Sequence, residues 1–216
     1  MEHASLLPNY HYADGDLNDS HSYLLPTVLD ILSSMDLKSH SLFELGCGNG
    51  SVAAELTNRG YTVVGIDASS EAIEQAKQHH PSLRLELGSA YDALSHTYGR
   101  FPVVRSLEVV EHLYAPRQYA ATIYDLLQPG GVTIISTPYH GYWKNLALAL
   151  TGKLDPHFTA LWDHGHIKFW SVETLGILLT EAGFIDVSFR RVGRVPLLEK
   201  SMIAIARKGS TCPSRP

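Results

Sequence analysis

Cysteine is scarce in this sequence. Cys47 and Cys212 are the whole supply in 216 residues, too few for a disulfide framework. One sits in a glycine-rich turn and the other in a polar tail, so no bond between them is expected and a reducing cytoplasm fits. Long apolar runs are missing too. The stretch 146–150 is five residues long, against the roughly 20 a membrane helix needs. Residues 1–8 show no basic region followed by an apolar one, so no signal peptide is expected. Excess positive charge is also lacking: 17 Lys and Arg face 22 Asp and Glu, a net charge of -5. Phosphate backbones need a basic footprint, so nucleic acid is not the expected partner. There is no internal repeat and no low-complexity tract.

What is present is an ordinary globular composition, with length for one domain and an inserted segment. After a polar start, Leu24, Leu25, Val28, Leu29 and Leu32 recur at helical spacing, predicting a helix over 21–34 with Pro26 in its first turn. Strands are predicted at 41–45, 61–66, 83–87, 103–107 and 132–136. Helices fall between them: 51–58 capped by Ser51, a second from Ser69 or Ser70 to Pro81, and 116–127 ended by Pro129-Gly130-Gly131. Segment 137–170 breaks the rhythm. A helix over 171–182 opens on Ser171 and stops at Gly183, and strands 184–191 and 201–206 follow. The linker between those last two strands is too short for a crossover, so they pair antiparallel. The expected fold is α/β: a Rossmann-like, seven-stranded, mostly parallel sheet with an antiparallel last pair and helices on both faces. The expected divisions are an N-terminal cap and helix (1–40), the main domain (41–207) with a lid at 137–170, and a flexible tail (208–216).

The turn after the first strand reads Glu44-Leu45-Gly46-Cys47-Gly48-Asn49-Gly50. A dinucleotide fingerprint would place a third glycine where Ser51 stands. Glu44 would repel a diphosphate but attract an α-ammonium group, which favours S-adenosylmethionine over a nicotinamide cofactor. Asp67, ending the second strand, can accept from ribose hydroxyls.

These features, with Gly88-Ser89-Ala90, the run from Ser106 to Leu113 (SLEVVEHL) and Leu127-Gln128-Pro129-Gly130-Gly131, resemble the class I S-adenosylmethionine-dependent methyltransferases over residues 41–207. The resemblance places Gly46, Gly48 and Asp67 at the methionyl and ribose parts, Ser89 and Ala90 by the adenine and Leu107 along the methionine chain. Cys47, Gly50 and Ala68 complete the candidate cofactor contacts.

Glu108, Glu111 and His112 stand at i, i+3 and i+4, which a helical turn would put on one face. Two carboxylates and an imidazole suit a divalent cation such as Mg²⁺, Mn²⁺ or Zn²⁺. The run resembles the E-x-x-E-H stretch of the ubiquinone-pathway O-methyltransferases, and that resemblance implies a divalent-cation site. His164, five residues before Phe169, matches a histidine of that group; His166 does not. His112, His164 and His166 are the candidate catalytic residues, since a histidine could take a phenol's proton. The chain also departs from that group: no arginine stands in residues 1–58, and Arg105 occupies a central strand, where it needs an acid partner.

Segment 137–170 is rich in aromatics and histidines, and Trp143, Leu146, Ala147, Leu150 and Leu154 form an amphipathic stripe. It is expected to close over an aromatic or apolar small-molecule acceptor, with Tyr10, Tyr12 and Tyr23 as the opposite wall. Lys144 and Lys153 alone are basic on the stripe, so attraction to a membrane surface is weak. The expected activity is methyl transfer to an acceptor oxygen of phenol or catechol type. The alternatives are metal-independent transfer to a sugar or secondary metabolite, and a non-catalytic S-adenosylmethionine-binding protein.

Overall fold

The computed structural model describes residues 19–37, 39–162, 165–196 and 198–210. His164, Tyr10, Tyr12, Cys212 and most of the expected cap and tail lie outside them. In chain order the elements are α1 (Asp19–Ser33), β1 (Ser41–Leu45), α2 (Ser51–Asn58), β2 (Thr62–Asp67), α3 (Ser70–His79), β3 (Arg84–Leu87), α4 (Leu94–Tyr98), β4 (Phe101–Leu107), a 3₁₀ turn (Val110–His112), α5 (Pro116–Leu126), β5 (Leu127–Pro138), α6 (Tyr142–Leu150), α7 (Leu154–Phe158), α8 (Val172–Glu181), β6 (Phe184–Val192) and β7 (Ser201–Lys208).

The seven strands form one sheet in the order β3-β2-β1-β4-β5-β7-β6. The first five run parallel, and β7 is antiparallel to both β5 and β6. Alternation along each strand builds two cores. On one face Phe43, Val104, Ile135 and Met202 pack with Leu94 of α4, Tyr119 and Ile123 of α5 and Leu175 of α8. On the other, Leu42, Val103, Ile134 and Ile203 pack with Leu24 and Val28 of α1, Leu56 of α2 and Ile73 of α3. The expected α/β sheet with both faces covered is the fold observed.

Several local expectations are corrected. Pro26 lies inside α1 rather than in its first turn; it is exposed, so its missing N–H faces solvent. Gly50, not Ser51, is the N-cap of α2, in a left-handed conformation. The capping oxygen comes from Asn49, whose Oδ1 accepts from Ser51 N at 3.2 Å. Residues 108–112 do not form one helical turn: Glu108 takes φ 55°, and the 3₁₀ turn spans Val110–His112 alone. The short α4 was not expected.

β1 lies between β2 and β4, so strand order reverses beside it and a crevice opens at the carboxyl ends of these strands. Residues 137–170 leave and rejoin the fold at one point. Tyr139 bridges Trp170, and His140 N donates to Trp170 O at 3.0 Å.

Candidate functional site

The glycine turn sits at the crevice. Gly46 N and Cys47 N both donate to Ile66 O, at 2.8 and 2.9 Å. Gly46, Gly48 and Gly50 all have positive φ. At Gly46 the need is double: φ is +84°, and a Cβ would meet Val109 Cγ2 at 2.4 Å. The turn therefore packs directly against the segment that follows β4. Asp67 holds it from the neighbouring strand, accepting from Gly48 N at 2.8 Å through Oδ2 and from Ser69 N at 2.9 Å through Oδ1. The Cys47 thiol is buried, and burial pushes its pKa up, the opposite of a reactive thiolate.

Glu44 is buried and pairs with Arg105 of β4. Burial holds the Glu44 carboxyl above its ordinary value, against the pull of the Arg105 guanidinium. The acid partner that Arg105 required is thus Glu44. Ala68 follows Asp67 and is half-buried. Beyond β3, Ser89 and Ala90 are half-buried. Ser89 N donates to Asp92 Oδ2 at 2.8 Å, which puts a carboxylate beside this pair. Leu107 is buried at the end of β4.

The acids and histidines after β4 separate into two groups. Glu108 turns toward hydroxyls. Its Oε1 accepts from Ser136 Oγ at 2.8 Å, and its Oε2 from Ser201 Oγ at 3.4 Å. Ser201 Oγ in turn meets Tyr23 OH at 2.9 Å. Burial raises Glu108 to about 7, against the pull of Ser136, Ser201 and Lys144. Glu111, His112 and His166 form the other group, each offering one ligand atom, all within 4.8 Å of one another. Glu111 is 1% exposed, and the Thr137 hydroxyl is a hydrogen-bonding side chain beside its carboxylate. Burial, reinforced by Glu108, holds it well above the usual carboxylate range. The main chain ties the group together, since Ile167 N and Lys168 N both donate to Glu111 O, at 2.9 and 3.0 Å. His112 Nδ1 lies 3.2 Å from Gly165 O. A carbonyl only accepts, so Nδ1 is the donor and Nε2 carries the lone pair. The His112 and His166 rings are 4.9 Å apart. Burial, then His112, lowers His166 to about 4.

Beside this group lies a cavity of about 420 Å³, lined by His140, Asn145, Phe158, Ala160, His166 and Phe169. Phe158 and Phe169 meet edge to face at 4.9 Å, and burial, then Lys144, lowers His140 to about 4. The sequence marked the aromatic character of this wall but not its order. Ser136 and Ser201, which hold Glu108, went unremarked; their sign was a polar residue at the carboxyl end of β5 and at the head of β7. Trp143 and Leu150 of the stripe are largely exposed, as is Tyr142 beside it.

Sheet order, with the glycine turn at the point where that order reverses, defines a Rossmann-like α/β core. A family model described as Methyltransferase domain matches residues 11–188. The chain belongs to this methyltransferase domain family, in its S-adenosylmethionine-dependent class. Among curated proteins it is similar to a ubiquinone biosynthesis O-methyltransferase of Caulobacter sp. (strain K31), 37% identical over 115 residues, or 51% of this chain and 45% of that one. It is also similar to the protein of the same name from Dinoroseobacter shibae, 30% identical over 178 residues, or 79% of this chain and 70% of that one. Across these two, the chain spans between about half and about two thirds of the relative's length. Among solved structures, a SAM-dependent methyltransferase of Methanosarcina mazei superposes with a TM-score of 0.64 at 19% identity, over 91% of this chain and all of that one. No helix among the described residues is long and apolar enough to cross a membrane.

Proposed function

We propose that the protein moves a methyl group from S-adenosylmethionine to an oxygen of a small aromatic acceptor, a phenol or catechol, held in the cavity that the 137–170 segment forms. One observation carries this reading. His166, which is grouped with Glu111 and His112 after β4, lines a cavity walled by phenyl and imidazole rings.

The donor side fits the residues present. Glu44 Oε2 accepts no hydrogen bond from a described group, and an anion there suits an α-ammonium group. The Asp67 carboxylate takes backbone N–H groups of Gly48, Ser69 and Ala68, fewer than its lone pairs, which leaves room for a ribose hydroxyl. Gly46, Cys47, Gly48, Gly50 and Ala68 would line this part, with Leu107 along the methionine chain. Ser89 and Ala90 would lie by the adenine. S-adenosylmethionine, when bound, supplies an electrophilic methyl group on a sulfonium.

The acceptor side must supply an oxygen nucleophile in line, and phenols with a pKa near 10 are weak ones at neutral pH. His112 Nε2, with its lone pair fixed by the Gly165 bond, accepts the acceptor's proton. His166 is too weak a base for that task and orients the acceptor while neutral. His164 is a further candidate base. Phe158 and Phe169 offer the acceptor ring an aromatic wall.

Glu111, His112 and His166 also fit a divalent cation, since each offers one ligand atom, all within 4.8 Å of one another, and neutral imidazoles are suitable ligands. A cation there would take the His112 Nε2 lone pair and lower the pKa of an adjacent phenol, so on that route the proton would pass to His164 and not to His112. Glu108 would join the set only by leaving Ser136 and Ser201. The second reading is metal-free transfer to a sugar or other metabolite with His112 as base, and the same Gly165 bond favours it. Calorimetric titration of chelator-stripped protein with Mg²⁺, Mn²⁺, Zn²⁺ and Co²⁺, with S-adenosylhomocysteine present, separates the two. The metal-assisted route predicts one-to-one binding that Glu111→Gln and His166→Ala abolish. No binding of any cation would eliminate it and leave the metal-free base.

A further inference from the structure

Arg105 and Glu44 are partnered positions on the neighbouring strands β4 and β1. Arg105 is 0% exposed and Glu44 3%, and guanidinium Nη2 pairs with Glu44 Oε1. The same face of these strands otherwise carries apolar residues, Leu42 and Val103 among them. A buried ion pair is seldom a gain over an apolar pair of similar size, so stability alone does not account for this one. Arginine keeps its proton in any protein environment. A buried guanidinium therefore demands an anion, and the ion pair to Glu44 is the one Arg105 makes among the described residues. Without that cation, burial would favour a neutral Glu44. The pair leaves Glu44 Oε2 without a hydrogen-bond partner among the described residues, two residues before the chain enters the turn at Gly46.

We propose that Arg105 is a positioning residue of the donor site: its guanidinium holds Glu44 in place as an anion beneath the glycine turn, with Oε2 left to accept from the α-ammonium group of S-adenosylmethionine. The inference rests on the donor reading given above. Arg105 acts through Glu44 and touches no reacting atom.

Calorimetry of the full chain with two ligands tests it. S-adenosylhomocysteine carries the α-ammonium group, whereas 5′-methylthioadenosine keeps the nucleoside and sulfur but lacks the amino-acid part. Arg105→Met is expected to weaken S-adenosylhomocysteine binding by about tenfold to a hundredfold, and 5′-methylthioadenosine binding by less than about threefold, the scale of one hydrogen bond to a charged group. Arg105→Lys is expected to restore most of the loss. An equal loss for both ligands, or none for either, overturns the proposal and leaves Arg105 a structural residue. A wild-type chain that binds neither ligand overturns the donor reading itself. Arg105→Met strands a buried carboxylate and is at risk of not folding. In that case the double variant Glu44→Gln, Arg105→Met, which removes both charges, carries the test. It is expected to lose the same selectivity between the two ligands, and wild-type selectivity in it overturns the proposal.

Discussion

His21 illustrates at the residue scale how packing sets charge in this chain. It lies on α1, and burial, with the Arg105 charge second, lowers its pKa from 6.5 to about 4. The folded state therefore binds fewer protons than the unfolded one between those values. Its contribution to stability is fully present above pH 6.5 and is lost as pH falls through 4. Replacing His21 with Gln is expected to make stability less steep in pH over this window, by up to about 1.4 kcal/mol per pH unit, the value of one proton. Urea unfolding at a series of pH values reads the slope, and an unchanged slope would show that His21 is solvated in the folded state. Glu108 makes a related point. Its left-handed backbone and its bonds to Ser136 and Ser201 depend on strands far away in sequence, so a local reading placed it on a helical face with Glu111 and His112.

At the scale of elements, the clearest local signal is the start of α8. Ser171 Oγ accepts from Thr174 N at 3.2 Å, and Thr174 Oγ1 accepts from Ser171 N at 3.0 Å, a reciprocal cap. Ser171→Ala is expected to lower stability by about 1 kcal/mol, seen as a lower urea midpoint with an unchanged m-value; no shift would mean that the helix start is held by packing alone. This cap was legible because serine before an apolar helical run is a local pattern. The strands were legible for the same reason: the alternation and apolar runs of 41–45 and 103–107 mark a sheet buried on both faces. The start of α2 was misread, because its capping oxygen belongs to Asn49 and the left-handed residue that follows is a glycine. α4 escaped because its five residues are too few for periodicity. The Glu111–His112–His166 group was half legible. The acidic pair and His112 stood out as a run, but His166 joins them only through the return of segment 165–168 onto Glu111 O.

At the scale of the whole molecule, the parallel strands deliver every candidate group to one edge. The carboxyl ends of β1 and β2 bring the glycine turn and Asp67. The end of β4 brings Glu111 and His112, and the excursion after β5 returns with His166 and the cavity wall. Gly46 packs against Val109, which sets the glycine turn directly beside the segment that carries Glu111 and His112. The sheet was foreseeable from the alternation of strands and helices, and the antiparallel pairing of β6 with β7 from a linker too short to cross over; the seating of β7 rather than β6 beside β5 was not. The acceptor was not legible, because a cavity takes its selectivity from how its side chains are packed and not from their order in the chain. The most direct test of the account is S-adenosylhomocysteine production from S-adenosylmethionine across a panel of catechols and sugars, run on the wild type and on His112→Ala, with S-adenosylhomocysteine affinity measured in parallel. The account predicts turnover with a catechol, a fall of about a hundredfold or more in His112→Ala, and S-adenosylhomocysteine affinity within about threefold of wild type. Turnover only with sugars, or a His112→Ala variant as active as the wild type, would contradict it.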